Sequence, residues 1–192
     1  MLFPPDAVCH AIRGSRNVTG TETHTTLPGI SGRMVREGDT APEFTAPMRT
    51  PDGDITEFTL SEALEDGPVV LAFFPGAFTS VCTGEMTTLR DRLDSLADAG
   101  VSLYGISIDS PFSLGEFAEQ NELNFPLVAD TNKEVIDAYD VVMDFADLGI
   151  SGVAKRSVFV LDDDGTITYS WVSDDPGVEP DYDDLEAAAE DV

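Results

Sequence analysis

Residues 68–74, PVVLAFF, form an almost continuous apolar run that ends at Pro75 and Gly76. Runs of this kind are typical of strands buried on both faces, in sheets that helices cover. The segment 80–99 that follows carries apolar residues at spacings of three and four, which predicts an amphipathic helix. The apolar positions of that helix are Met86, Leu89, Leu93 and Leu96. A buried strand followed by a helix points to an α/β fold.

The remainder of the chain continues this alternation of strands and helices. We predict strands over 55–60, 101–109, 125–129, 157–161 and 166–172, and helices from residue 61 and over 111–121, 133–139 and 182–189. The DDDG sequence at 162–165 predicts the turn of a hairpin. A calcium loop is the alternative, but the alternating ligands that end in Glu are missing. These elements predict one domain over residues 34–192.

Residues 1–33 differ in composition from the rest, and Met34 opens a passage, MVREGDTAPEF, that is typical of a protein start. We expect residues 1–33 to be a flexible extension or the result of a start assigned too far upstream; a regulatory arm is the alternative. The segment lacks the apolar region of a secretory signal. It contains Cys9, His10 and His24, whose spacing is not that of zinc ligands. We expect no metal, and no cofactor motif is present in the sequence.

The formal net charge of −27, from 37 acidic and 10 basic residues, limits the environment and the partners. A surface this acidic repels itself in dilute buffer, whereas at 1 M salt the Debye length falls to ~3 Å. We interpret the charge as adaptation to the salty cytoplasm of a halophile, since the acids run through most of the chain rather than forming a tail. Such a charge argues against nucleic acid as a partner. No apolar run approaches the ~20 residues that a membrane span needs.

Cys82 lies at the predicted start of the helix over 80–99, just after the buried strand. Backbone N–H groups without partners and the positive end of the helix dipole favour a thiolate there over a thiol. Cys82 is therefore a candidate nucleophile. The alternative is structural, because a lone cysteine at such a junction is often a small buried apolar residue.

Three neighbours of Cys82, in sequence or in the expected sheet, have suitable chemistry. The hydroxyl of Thr79 could bond the sulfur or an oxygen of a reactant, and Pro75 could screen the sulfur from water. Arg156 precedes the strand 157–161 and would reach the sulfur if that strand pairs near the loop. Its permanent charge would stabilise a thiolate and negative charge developing on a group that the thiolate attacks.

The sequence PGAFTSVC, residues 75–82, fits the P-x-x-x-T-x-x-C active-site motif of the peroxiredoxins. The wider segment 73–85 resembles their peroxidatic loop and helix, 40–62 their N-terminal region, and 154–171 their hairpin with the active-site arginine. This resemblance implies a thioredoxin-like fold with a central mixed sheet flanked by helices. It also implies the reduction of hydrogen peroxide and organic hydroperoxides.

The resemblance further implies a role for each matching residue. It makes Cys82 the peroxidatic cysteine, Thr79 and Arg156 activating residues, and Pro75 the shielding residue. Glu85 matches a recurrent acid that braces or caps the helix. A homodimer or an assembly of dimers is implied as well.

The sequence departs from many peroxiredoxins because no cysteine follows Cys82. One common place for a resolving cysteine, five residues further on, is occupied by Thr87. We therefore expect a one-cysteine enzyme whose sulfenic acid is reduced by an external thiol, either a small molecule or a thioredoxin-like protein. Two other functions remain open: a thiol–disulfide oxidoreductase, which usually has C-x-x-C, and a non-enzymatic sensor or binding module.

Overall fold

The computed structural model describes residues 34–192, so the expectations for residues 1–33, with Cys9, His10 and His24, lie outside the described residues. The strands are β1 (Thr45–Arg49), β2 (Ile55–Thr59), β3 (Val69–Phe73), β4 (Ser102–Ser107), β5 (Leu127–Ala129), β6 (Val142–Phe145), β7 (Ile150–Ala154), β8 (Ser157–Leu161) and β9 (Ile167–Val172). The helices are α1 (Leu60–Leu64), α2 (Ser80–Asp91), α3 (Leu93–Asp98), α4 (Pro111–Gln120), α5 (Glu134–Ala138) and α6 (Tyr182–Glu190), with a 3₁₀ turn over Ala146–Leu148.

Seven strands form the main sheet, in the order β2-β1-β5-β4-β3-β8-β9, and β6 pairs with β7 separately. Strand β3 is parallel to β4 and antiparallel to β8, so the sheet is mixed. The predicted fold class, a central mixed sheet flanked by helices, is confirmed. Within residues 34–192, no helix combines the length and the apolar character needed to cross a membrane.

The side chains of β3 are completely buried and alternate between two hydrophobic cores, because successive strand residues point to opposite faces. One core contains Val69, Leu71 and Phe73, and the other contains Val70, Ala72 and Cys82. Helix α2 contributes Met86 and Leu89 to the second core. The predicted apolar run is thus the centre of the domain, and the cysteine belongs to one of its two packed faces.

Strand pairing brings the two ends of the site together. In the antiparallel pair of β3 and β8, Phe73 lies opposite Ser157. The loop that follows β3 and the residue that precedes β8 therefore emerge at the same edge of the sheet.

Two features of the fold differ from the sequence-based predictions. The helix predicted over 80–99 is interrupted at Arg92 (φ −100°, ψ 1°), which separates α2 from α3. Apolar spacing does not reveal this break, because the stripe continues across it, while Arg92 bonds Asp183 of α6 at 2.8 Å. Strands β1, β6 and β7 were not predicted, since apolar and polar residues do not alternate regularly along them.

Candidate active site

Cys82 lies in the first turn of α2 and is only 1% exposed. The loop from Pro75 to Thr79 joins β3 to this helix and passes through a left-handed conformation at Phe78 (φ 65°), which is uncommon for a non-glycine residue. The ring of Phe78 packs edge-on against Phe117 of α4, with the ring centroids 5.3 Å apart. This contact helps to hold the loop in its strained turn.

Arg156 reaches the sulfur from the start of β8. Its Nη2 donates to the Sγ of Cys82 at 3.4 Å and to the carbonyl oxygen of Pro176 at 2.8 Å, and its Nη1 donates to Glu85. Burial alone would lower the pKa of Arg156, but its interactions with Glu85 and Cys82 outweigh that effect and raise the pKa. A permanent positive charge therefore lies against the sulfur.

Glu85 follows Cys82 by one helical turn, and its side chain is fully buried. Burial raises the pKa of its carboxyl to about 8, while the charge and hydrogen bond of Arg156 act in the opposite direction. One carboxylate oxygen binds Arg156, and the other, Oε1, has no hydrogen-bond partner among the described residues. Glu85 thus fixes one end of the guanidinium.

Sequence reasoning did not identify Asp109, which anchors the loop before Cys82. Its Oδ2 accepts hydrogen bonds from the backbone N–H of Ala77 at 2.8 Å and from the hydroxyl of Ser107 at 2.9 Å. Asp109 follows β4, the parallel neighbour of β3. The carboxyl ends of parallel strands meet at one edge of a sheet, where ligand sites are common. An acid two residues after β4 could therefore have been recognised from the sequence as a site residue.

Pro75 and Thr79 are the first and last residues of the loop that precedes α2. Pro75 is buried, whereas Thr79 is exposed. The Thr79 hydroxyl donates to the carbonyl oxygen of Gly76 at 3.3 Å rather than to the sulfur. Both residues line the same cavity as Cys82 and Arg156. The structure therefore brings together all five of the residues singled out from the sequence, with Glu85 behind the guanidinium rather than on the cavity wall.

The cavity beside Cys82 has a volume of about 620 Å³. It is lined by Pro75, Thr79, Ser80, Val81, Cys82, Met143, Asp144, Phe145, Ala146, Leu148, Arg156, Pro176 and Gly177. Because Cys82 lines the cavity while being almost inaccessible to water, a reactant must approach the sulfur by a small terminal group. A sulfur beside a guanidinium suits nucleophilic attack in which negative charge develops on the atom that is attacked or displaced.

The described residues were also compared with the requirements of a metal site, which needs several ligating side chains close together. Among residues 34–192, no group of three or more His, Cys, Asp and Glu side chains is arranged to hold a metal ion.

The chain is similar to several known proteins. A model described as the AhpC/TSA family matches residues 37–170. Peroxiredoxin Bcp of Escherichia coli K12 is 36% identical over 137 residues, which cover 70% of this chain and 84% of that protein. The chloroplastic 2-cysteine peroxiredoxin of Chattonella marina var. antiqua is 34% identical over 146 residues, covering 72% of this chain and 71% of that protein.

Solved structures show the same likeness. The crystal structure of peroxidoxin BcpB from Mycobacterium tuberculosis superimposes with a TM-score of 0.71 at 32% identity, covering 83% of this chain and 99% of that one. The reduced 2-Cys peroxiredoxin of Plasmodium vivax gives a TM-score of 0.73 at 23% identity, covering 82% and 96%. The second comparison bears on the fold alone.

Proposed function

The chain belongs to the AhpC/TSA family and is a thiol-dependent peroxidase of the peroxiredoxin type, and on that premise we propose that Cys82 is its peroxidatic nucleophile. The peroxiredoxin family and the thiol-dependent peroxidase activity predicted from the sequence are confirmed. The observation that carries the proposal for Cys82 is the contact of 3.4 Å between its Sγ and the Nη2 of Arg156 at the wall of a cavity.

The proposed reaction is an in-line displacement on the O–O bond. The Cys82 thiolate attacks the terminal oxygen of a hydroperoxide; an S–O bond forms and the O–O bond breaks. The sulfur loses two electrons and becomes a sulfenic acid, while the departing oxygen leaves as hydroxide or alkoxide and takes a proton from water. Arg156 stabilises the thiolate before attack and the charge on the oxygens during it.

The other site residues position these two. Glu85 orients the Arg156 guanidinium through their buried hydrogen bond. Pro75 shields the sulfur from water. Thr79 is an exposed residue whose hydroxyl bonds the Gly76 carbonyl within the described part of the chain, so this hydroxyl is available to turn toward a bound peroxide.

We propose that an external thiol completes the cycle. It attacks the sulfenic acid to form a mixed disulfide and release water, and a second thiol restores Cys82. At the position five residues after Cys82, the hydroxyl of Thr87 bonds the Thr83 carbonyl oxygen at 2.8 Å within the helix. Cys9 lies outside the described residues. A small thiol or a thioredoxin-like protein is the proposed reductant, and hydrogen peroxide and organic hydroperoxides are the proposed substrates.

The setting of the enzyme is proposed on sequence grounds. The charge of −27 supports a halophilic cytoplasm and no nucleic-acid partner. We propose that residues 34–192 form the catalytic domain and that the enzyme works away from membranes as a homodimer or an assembly of dimers.

The test compares Cys82→Ser with Cys9→Ser in the full chain. Peroxide consumption is followed with a thiol donor, and intact mass is measured after one equivalent of peroxide. We expect Cys82→Ser to abolish turnover while the protein stays folded, and Cys9→Ser to keep nearly all of it and to gain one oxygen atom on Cys82. Full turnover by Cys82→Ser contradicts the proposal, and loss of activity in Cys9→Ser makes Cys9 a resolving cysteine. Oxidation once, without continued consumption when reductant is supplied, indicates a sensor.

A further inference from the structure

The segment that joins β9 to α6, residues 173–181, bonds Arg156 at two places. The backbone N–H of Ser173 donates to the Arg156 carbonyl oxygen at 2.9 Å, and the Nη2 of Arg156 donates to the Pro176 carbonyl oxygen at 2.8 Å. One short segment therefore holds both the main chain and the guanidinium of Arg156. Glu85 holds the guanidinium at its other terminal nitrogen, Nη1.

The bond to Pro176 bears directly on the sulfur, because both use Nη2. This nitrogen carries two N–H groups that lie in the plane of the guanidinium at fixed directions. One bonds the Pro176 carbonyl oxygen at 2.8 Å, and the other bonds the Sγ of Cys82 at 3.4 Å. The position of the Pro176 carbonyl therefore determines where the second N–H points. The Nε of Arg156 has no partner among the described residues, so it adds nothing to this alignment.

Two side chains fix the turn that carries Pro176. The Ser173 hydroxyl accepts from the backbone N–H of Asp175 at 3.1 Å and donates to its carbonyl oxygen at 2.8 Å. The Oδ1 of Asp175 accepts from the backbone N–H of Gly177 at 2.8 Å. Side chains of Ser and Asp that bond the main chain two residues on stabilise turns in this way. Because the bond from Gly177 spans Pro176, the Asp175 carboxylate closes the turn around the carbonyl that Arg156 uses.

We propose that Asp175 is a positioning residue for the reaction at Cys82: its carboxylate holds the turn that presents the Pro176 carbonyl to Arg156, and thereby keeps the second N–H of Nη2 directed at the sulfur. Asp175 does not line the cavity, so it acts through Arg156 rather than on a substrate. The inference rests on the proposed function of Cys82 and adds a residue outside the PGAFTSVC motif.

The geometry favours a role as hydrogen-bond acceptor over a role of the negative charge. Asp175 is exposed, and at 1 M salt the Debye length of ~3 Å leaves an exposed charge little reach. The bond to the Gly177 amide requires an oxygen at this position, which the side-chain amide of asparagine also offers. Asparagine is common in turns of this type as well. Asparagine should therefore replace Asp175, whereas alanine should not.

The experiment measures two rates in molar KCl: alkylation of Cys82 by iodoacetamide, followed on its peptide by mass spectrometry, and kcat/KM for hydrogen peroxide. We expect Asp175→Ala to lower both by roughly 3- to 10-fold, because the guanidinium loses alignment but not its charge. Asp175→Asn should stay within about twofold of the wild type, since it keeps the acceptor. Ser173→Ala removes the other side chain that fixes the turn and should act in the same direction as Asp175→Ala. Asp163→Ala is the matched control, because Asp163 is an exposed acid in the turn at the far end of β8, and its rates should equal those of the wild type.

A double variant separates an effect through Arg156 from a general effect on the fold. In Arg156→Lys the fork that bonds the Pro176 carbonyl and the sulfur together is already lost. Adding Asp175→Ala should then have little further effect, so that the combined loss falls well short of the product of the two single losses. Urea unfolding confirms that each variant is folded under the assay conditions.

Wild-type rates in both Asp175→Ala and Ser173→Ala overturn the inference. Losses in Asp175→Ala and Arg156→Lys that multiply independently overturn it as well. An Asp175→Asn variant as slow as Asp175→Ala would assign the effect to charge and reject the role of the turn. Failure of the proposed function is a different result: a wild type that consumes no hydroperoxide, or a Cys82→Ser variant that still does. Alkylation of Cys82 requires no turnover, so it tests the inference in either case.

Discussion

Glu85 and Arg156 form a buried hydrogen-bonded pair beside the sulfur of Cys82, with their side chains 0% and 1% exposed. Burying an acid and a guanidinium together is favourable only when geometry and further hydrogen bonds compensate for the lost water. Nη2 of Arg156 bonds the Pro176 carbonyl and the sulfur, whereas its Nε and one oxygen of Glu85 have no partner within the described residues. The position of the guanidinium at the sulfur therefore depends on an acid that is held in an unfavourable environment.

We expect the stability of the protein to fall between about pH 5 and pH 8. Burial raises the pKa of Glu85 from 4.5 to about 8 in the folded chain. Between these values the folded chain keeps a proton that the unfolded chain has released, so rising pH lowers the free energy of unfolding, by at most about 1.4 kcal/mol per pH unit for one group. Above pH 8 the effect levels off. Urea unfolding at several pH values in molar KCl measures the slope.

The variant Glu85→Gln should show a smaller slope over the same range, because its amide does not titrate. Glu65→Gln is the control, since Glu65 is an exposed acid, and it should keep the wild-type slope. Equal slopes in the wild type and in Glu85→Gln would contradict the prediction.

We expect Arg156→Lys to lower kcat/KM for hydrogen peroxide by about 10²- to 10³-fold. Lysine keeps a positive charge but lacks the planar fork that lets one side chain reach Glu85, the sulfur and the Pro176 carbonyl together. Steady-state kinetics and the rate of alkylation of Cys82 by iodoacetamide are the measurements. Lys155→Gln serves as the neighbouring control, because Lys155 pairs with the exposed Asp174 and such pairs contribute little. Near wild-type activity in Arg156→Lys would remove Arg156 from the mechanism.

We expect Asp109→Ala to reduce both activity and stability. The change leaves the Ala77 amide and the Ser107 hydroxyl without their acceptor, a loss of about 1–3 kcal/mol. The loop that places Cys82 then loses its anchor, and we expect roughly a tenfold lower kcat/KM because reacting groups tolerate little misplacement. Asp109→Asn keeps one oxygen acceptor and should lie between Asp109→Ala and the wild type. Thermal unfolding and peroxide kinetics are measured on Asp109→Ala, Asp109→Asn and the wild type. Equal Tm and equal kcat/KM in all three would contradict an anchoring role for Asp109.

We expect a rise in KCl from 0.1 M to molar concentration to raise Tm by on the order of 5–10 °C, because salt screens the repulsion within a chain of charge −27. Salt also weakens the ion pairs that Arg92 makes with Asp183 and Glu186, but exposed pairs contribute only ~0–1 kcal/mol each. Differential scanning calorimetry measures Tm. Sucrose at equal osmolality is the control, because it is excluded from protein surfaces but does not screen charge. Equal stabilisation by sucrose would argue against a halophilic adaptation.

The parts of the fold that the sequence predicts well are those with a strong local pattern. Three elements have such a pattern within their own residues. Strand β3 is a continuous apolar run, α2 has apolar residues at spacings of three and four, and the β8–β9 hairpin has a turn sequence followed by an alternating strand. The β6–β7 pair has no such pattern, although Met143 and Phe145 of β6 line the cavity beside Cys82.

The site was predictable only in part, and for the same reason. The position of Cys82 follows from its place between a strand and a helix. The bond from Ala77 to Asp109 spans 32 residues and depends on the parallel pairing of β3 and β4, which residue types alone do not specify. The partner of the Thr79 hydroxyl, the Gly76 carbonyl, likewise depends on the local turn.

The pairing of Phe73 with Ser157 also fixes the side of the sheet on which the Arg156 guanidinium lies. Successive residues of a strand alternate between the two sides of the sheet, so an insertion or deletion of one residue in β8 would send the guanidinium to the opposite side from the sulfur. All the site residues would still be present, yet a thiolate at Cys82 would have no counter-ion. Variation in length is therefore expected in the turns at the far end of β8 and not within the strand itself.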